Sequence, residues 1–376
     1  MKKTICTILA GIMSVSMLMG SAITTYAEEK KDDISIGVSI WGTSDPLGAS
    51  CKKILDAEAE ALGVKLVYVE HSLKSEEVVS SVENLCASGV QGIIICNSAD
   101  AEMAKAIPIC EKNEVYLAQY FRQITDEQVL EMAEGTKYFL GETHEDEEQN
   151  GYDLCKILVE DKGSRDIGML SYRVGDATAG ARIAGYQKYV EEWNENNPDD
   201  QVKLGDVVDD KWTAEEARQA VENMIDADSN MDGLVVVGNA TSLEGALNAV
   251  KAKDLVGKIN VVSTDFTETL GTQLQNGEIA AMSGGHYADP YFSLMLVYNA
   301  IRGNFVKEEG KLFEIKFPMM YVSSEDDYNN YNKYFVETLP YTEEETKEIA
   351  EESFEDLQAT AAALSIDEVA QRHGED

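Results

Sequence analysis

Two charged side chains and two amides have the types and settings to grip a small polar molecule. Arg182 lies in a helical stretch beside Ile183, Ala184 and Tyr186. Its guanidinium offers a fork of donors to ligand oxygens, or closes a salt bridge within its own part of the fold. Asp265 follows the apolar run at 259–263. It can accept from two hydroxyls and keep Arg182 paired, or cap a helix beginning near Thr267. Asn97 and Asn239 each follow a glycine-led apolar run, Gly92-Ile93-Ile94-Ile95-Cys96 and Gly233-Leu234-Val235-Val236-Val237. An amide both donates and accepts, which suits hydroxyl groups. Trp41 follows the first apolar run, and Trp212 follows the turn Asp209-Asp210-Lys211. Either ring can cover the C–H face of a polyhydroxylated ring. Trp212 can instead staple the helix that follows it. Tyr120 and Tyr172 are further platforms of this kind. His286 follows Gly284-Gly285, where backbone can approach closely, and reads as a ligand contact or a hinge residue.

Chemistry beyond binding has little support. The chain lacks a Gly-x-Ser-x-Gly turn, a Walker phosphate loop, a dinucleotide fingerprint and a metalloprotease helix. Ser283-Gly284-Gly285-His286 holds suggestive residue types, but nothing places a third group beside them. Two carboxylates could hydrolyse a glycoside, yet 69 acidic residues make carboxylate pairs uninformative. A carbohydrate-processing enzyme would be told apart by turnover. His71, His144, His286 and His373 are scattered, and His144 with Glu145 and Asp146 reads as a solvated crossover loop. No metal or cofactor is expected.

The elements that must position these groups alternate. Strands are expected at 34–40, 64–69, 92–96 and 115–118, with helices from Leu47 and over 76–87 and 101–110 between or after them. Glu58 falls on the apolar face of the first helix, against the pattern. The second half repeats the plan, with strands at 167–170, 202–208, 233–237 and 259–263 and helices over 179–193, 214–225 and 243–252. Glu76, Glu77, Val82, Glu83 and Asn84 match Glu215, Glu216, Val221, Glu222 and Asn223 at a constant offset. The reading is α/β: two similar lobes, each a parallel sheet flanked by helices. Ligands of open α/β sheets bind beyond the carboxyl ends of strands, where Asn97 and Asn239 would face a common cleft.

Lys2 and Lys3, the apolar run at 8–19 and Thr25-Tyr26-Ala27 read as an export signal over 1–27, followed by an acidic linker over 28–32. No cysteine follows the apolar run, so no lipid anchor is expected. About 350 residues remain, enough for two domains. The formal net charge is -38, which argues against nucleic acid or an anionic membrane surface as partner. Cys51, Cys86, Cys96, Cys110 and Cys155 lack close metal-ligand spacing and read as small core residues.

At these residues the chain resembles the type I periplasmic binding proteins, in the ribose- and galactose-binding branch that serves ABC transporters. The resemblance covers about 33–322. It rests on Asp45-Pro46-Leu47, on Gly89-Val90-Gln91-Gly92-Ile93-Ile94-Ile95 with Asn97, on Arg182-Ile183-Ala184-Gly185-Tyr186, and on Val262-Ser263-Thr264-Asp265. It implies a cleft lined by Asp45 and Asn97 from one lobe and Arg182, Trp212, Asn239 and Asp265 from the other. Gln119 and Tyr120 stand where the family has an Asp-Arg pair, and Gly285 where it has a glutamine, with His286 or Tyr287 as the substitute. These departures put ribose itself in doubt. The family's three-crossover hinge implies a first lobe of 33–143 and 286–314 and a second of 144–285 and 315–335. The crossings are expected near Gly141, Gly284-Gly285 and Met319-Met320. The resemblance does not define the acidic helical extension over 336–376, which is expected to pack on a lobe, with contact to another protein as the alternative. The implied protein is monomeric and extracytoplasmic, periplasmic or at the cell surface. It passes a small polar ligand, a monosaccharide first, to ABC permease subunits. Presenting a nucleoside or signalling metabolite to a chemoreceptor or kinase is the alternative. A sugar-responsive repressor would need a basic DNA-binding helix pair where this chain has the export signal.

Overall fold

The computed structural model describes residues 34–172 and 176–374; the expected signal over 1–27 and linker over 28–32 lie outside them. The chain runs β1 (Ser35–Ile40), α1 (Pro46–Leu62), β2 (Lys65–Glu70), α2 (Ser75–Ala87), β3 (Gly92–Ile95), α3 (Asp100–Asn113), β4 (Tyr116–Tyr120), α4 (Glu127–Gly135) and β5 (Phe139–Glu145). It continues through α5 (Glu147–Lys156), β6 (Asp166–Ser171), α6 (Ala177–Asn196), β7 (Lys203–Asp209), α7 (Ala214–Ala227), β8 (Gly233–Val236), α8 (Ala240–Ala252), β9 (Asn260–Thr264), α9 (Leu270–Gln275) and β10 (Ala281–Gly284). Last come α10 (Asp289–Ile301), β11 (Phe313–Phe317), β12 (Met320–Val322), α11 (Glu325–Tyr331), α12 (Glu343–Ile349), α13 (Phe354–Ala363) and α14 (Ile366–His373).

The strands form two six-stranded sheets, ordered β11-β5-β4-β3-β1-β2 and β12-β10-β9-β8-β6-β7. The two orders are the same plan executed twice. All pairings are parallel except β12 on β10. The central strands are apolar throughout because helices cover both faces. Ile94 enters one core cluster while Ile93 and Ile95 enter another. Leu234 and Val236 likewise part from Val235.

The chain passes between the sheets at Glu145–Glu147, after Gly284, and between Phe317 and Met320. The first passage falls beyond Gly141 because β5 stays paired with β11 through Glu145↔Phe317. This also corrects the solvated loop expected at His144. That histidine is buried in β5, with Nε2 3.0 Å from Glu314 Oε1 and Nδ1 3.2 Å from the Glu145 carbonyl. At the second passage Gly285 has φ 81°, and a Cβ there would lie 2.6 Å from Met320 Sδ. Glycine is needed on both counts.

The C-terminal segment is built in. Helix α12 packs on α1, α13 on β11, and α14 on α11. The Tyr341 ring stacks on Tyr291 at 4.9 Å, and Phe354 meets Phe313 at 4.6 Å. Among the described residues no helix is long and apolar enough to cross a membrane.

Candidate functional site

Each lobe opens its first helix with the same device. Asp45 caps α1 by accepting from Gly48 N–H, while its other oxygen accepts from Trp41 Nε1 at 2.8 Å. Asp176 caps α6 by accepting from Ala179 N–H and also accepts from the Tyr172 hydroxyl at 3.0 Å. An aspartate thus fixes an aromatic four residues earlier, just past the carboxyl end of β1 and of β6. The turns after β2 and β7 match too, with positive φ at Ser72 and Leu73 and at Lys211 and Trp212. Beyond β4 and β9 the first residue is again left-handed, Phe121 at φ 61° and Asp265 at φ 75°.

These strand ends meet. The Trp41 ring lies 5.8 Å from Phe121, and Phe121 lies 5.3 Å from His286 in an edge-on contact. His286 Nε2 is 3.5 Å from Asp265 Oδ1, and Asp265 Oδ2 accepts from the Asn239 backbone N–H at 3.3 Å. A belt of side chains therefore runs from the first sheet, through the second hinge passage, to the second sheet. Tyr172 extends it to Trp212, ring to ring at 5.1 Å.

Arg182 sits beneath the second-lobe end of the belt. Its Nε and Nη2 donate to the two oxygens of Glu147 at 2.6 Å each, and Nη1 donates to the Val237 carbonyl at 3.1 Å. Gly151 and Gly185 let α5 and α6 approach backbone to backbone, which delivers Glu147 to Arg182; a Cβ at Gly185 would stand 1.9 Å from the Glu148 carbonyl. Burial opposes the Glu147 charge, but Arg182 outweighs it and holds the carboxyl below its usual range. Burial likewise works against the Arg182 charge, and Glu147 and then Asp265 more than offset it.

Two more carboxyls fill the hinge. Burial raises Glu145 above its usual range, against the pull of His286. Burial and then the Glu145 charge raise Asp289 well above its usual range. Asp289 Oδ2 accepts from Phe121 N–H at 3.4 Å. Among the described residues no group of His, Cys, Asp and Glu is placed to hold a metal ion.

Residues 36–304 match the family described as periplasmic binding protein domain. The chain belongs to that family. This periplasmic binding protein is 24% identical over 250 residues to the D-xylose-binding periplasmic protein of Escherichia coli (strain K12), covering 66% of this chain and 72% of that one. It is 22% identical over 268 residues to the protein of that name from Haemophilus influenzae, covering 71% and 77%. In fold it is similar to an ABC transporter periplasmic solute binding protein from Actinobacillus succinogenes 130z, solved with bound D-allose. That likeness has a TM-score of 0.68 and 20% identity over 80% of this chain and 100% of that one. The binding component of an arabinose ABC transporter from Shewanella sp. ANA-3 gives 0.64 and 20% over 80% and 95%. This chain is therefore an extracytoplasmic solute-binding protein of the periplasmic binding protein family.

Among the residues named from sequence, Trp41, Asp45, Arg182, Trp212, Asn239, Asp265 and His286 gather on or under the belt of this periplasmic binding protein. Arg182 is salt-bridged to Glu147. Asp265 does not cap α9, which starts after Thr269 and has no side-chain cap. Asn239 spends its amide on capping α8, accepting from Ser242 N–H and donating to Ser242 Oγ, both at 2.9 Å. Trp212 is 48% exposed, at the rim. Asn97 is buried after β3, donating to the Ala99 carbonyl and leaving Oδ1 without a partner. Gln119 is buried with neither amide atom partnered.

Tyr120 is fully buried in the core beneath the belt, its ring edge-on to Phe121 at 5.2 Å and its hydroxyl donating to the Ser39 carbonyl at 3.2 Å. The reason is the length of β4. It runs to Tyr120, not Ala118, so the first residues past its end are Phe121 and Arg122. Sequence reasoning missed both. Arg122 donates to the Phe121 carbonyl at 2.7 Å, and against burial the neighbouring Cys96, Glu145 and Asp176 raise its guanidinium above the usual range. An arginine therefore does follow this strand, two positions later than expected. Glu147 and Asp289 were missed as well.

Proposed function

We propose that the protein captures one small neutral sugar, a monosaccharide, between the strand ends of its two sheets. It then hands the sugar, as a monomer, to the permease subunits of an ABC transporter. The observation that carries this reading is the belt from Trp41 through Phe121 and His286 to Asp265, which joins aromatic faces to charged acceptors. Trp41 and Trp212 would cover the C–H faces of the sugar ring, while Asp265, Asn97, Gln119 and Arg122 would meet its hydroxyls. Arg182 would act by holding the charge of Asp265. The relatives' names point to the same ligand class, since they bind xylose, allose and arabinofuranose. The two lobes would rock about the passages at Glu145–Glu147, Gly284–His286 and Phe317–Met320, and the sugar would favour the closed form.

The test uses the indole signals. Trp193 donates to the Asp200 carbonyl, far along α6 from the belt, so a Trp193→Phe variant reports on Trp41 and Trp212 alone. Titration with pentoses and hexoses is expected to give a saturable fluorescence change for one sugar type. A flat response to every sugar from folded protein would refute the assignment.

A further inference from the structure

Away from the cleft, α1 carries a carboxylate in an apolar position. Glu58 is 1% exposed, and neither of its oxygens has a hydrogen-bond partner. It lines a cavity of about 210 Å³ between α1, Tyr291 of α10 and the segment leading into α12. The Tyr341 hydroxyl, also buried, has no partner either. Glu60 and Glu343 stand exposed around the same cavity, and its lining contains no lysine, arginine or histidine.

An ionised Glu58 cannot sit there alone, because an unpaired buried charge is heavily penalised. Burial accordingly holds its carboxyl well above the usual range. A proton removes the charge but creates an O–H donor that again finds no acceptor. An ammonium group meets all the demands together. It has three donors, enough for both Glu58 oxygens and the Tyr341 hydroxyl, and its charge cancels that of the carboxylate. The stacked Tyr291 and Tyr341 rings and Leu339 give walls against which an alkyl chain can lie. Arg372, 5.1 Å from the Tyr341 ring, is engaged by Glu345 and Glu368, so it does not serve Glu58.

We propose that this cavity is a second binding site, specific for a small primary alkylammonium cation held by Glu58 and Tyr341. Glu60 and Glu343 would draw cations to it. Occupancy would fasten α12 to α1, tying the C-terminal segment to the first lobe independently of the cleft.

The probe is n-butylammonium, titrated into the full chain at pH 8 with n-butanol as the neutral isostere and sodium to match ionic strength. Calorimetry is expected to show one-to-one binding of the amine, with heats that vary with buffer because Glu58 releases a proton. Melting temperature should rise with amine and not with n-butanol. Glu58→Gln should weaken binding at least tenfold. If that variant does not melt cooperatively, Tyr341→Phe, which keeps the carboxylate, is expected to weaken binding several-fold. Absence of amine binding by the wild type would overturn the proposal. So would unchanged amine affinity in the variants.

Discussion

Arg182 and Glu147 are buried together, with side-chain exposures of 5% and 14%, and each satisfies the other through two hydrogen bonds. Removing one member of such a pair strands the other charge, at a cost of about 3–5 kcal/mol. Arg182→Ala is therefore expected to lose that much unfolding free energy in a urea titration. The Arg182→Ala, Glu147→Ala double variant should recover part of it, and equal loss in both would contradict the pairing. Arg182 and Asp265 were legible in the sequence because each stands out beside apolar neighbours. Glu147 was not, because one acid among 69 gives no contrast. Asn239 was placed at the right strand end, and its cap on α8 was not foreseen. A cap and a ligand contact use the same amide, and sequence does not say which partner is nearer.

At the scale of elements, the contact of α5 with α6 decides where Glu147 arrives. Gly185→Ala would force a Cβ onto the Glu148 carbonyl and is expected to cost about 1–3 kcal/mol, read as a lower melting temperature. A melting temperature equal to wild type would mean the helices do not need this approach. Strand and helix periodicity was readable from β1 to β4 and from β6 to β9, while the order of the strands in each sheet was not. The end of β4 was not readable. Gln119 and Tyr120 do not continue an apolar run, yet both are buried, so the expected strand stopped at Ala118 and the residues beyond its true end were missed.

The C-terminal helices offer a second test at this scale. Glu345 accepts from Thr342 N–H and pairs with Arg372 and His373 of α14, and despite partial burial its carboxyl falls to about 2 from the usual 4.5. A lowered carboxyl stabilises the docked helix above about pH 4.5, and that stability is lost as pH falls through about 2. Hydrogen exchange in α14 should rise over that window. Glu345→Gln should show raised exchange already at neutral pH, and protection equal to wild type there would contradict the account.

For the whole molecule, one hinge-side acid sets the opposite trend. Burial raises Glu142 in β5 to about 7 from 4.5, although it accepts from Ile124 N–H. Its folded form holds a proton more tightly than the unfolded chain does. Its contribution is full below about pH 4.5 and is lost as pH rises through about 7. Glu142→Gln is expected to flatten the fall in stability between those values, and a slope equal to wild type would show that Glu142 does not titrate there. The net charge of -38 pushes the same way through self-repulsion, so added salt should lessen the fall that remains. The two-lobed plan was legible because it is written twice. The hinge acids were not, because Glu145 and Asp289 acquire their meaning only where the chain passes between the sheets.

The central claim is that the belt ending at Asp265 holds one monosaccharide. Isothermal titration of the wild type and of Asp265→Ala against a panel of pentoses, hexoses, polyols, disaccharides and nucleosides tests it most directly. The account predicts one-to-one binding of a monosaccharide by the wild type. It also predicts a loss of about 1.5–3 kcal/mol, roughly 10- to 150-fold in affinity, in a variant that remains folded. Silence of the wild type toward every monosaccharide, or equal affinity in the folded variant, would contradict it.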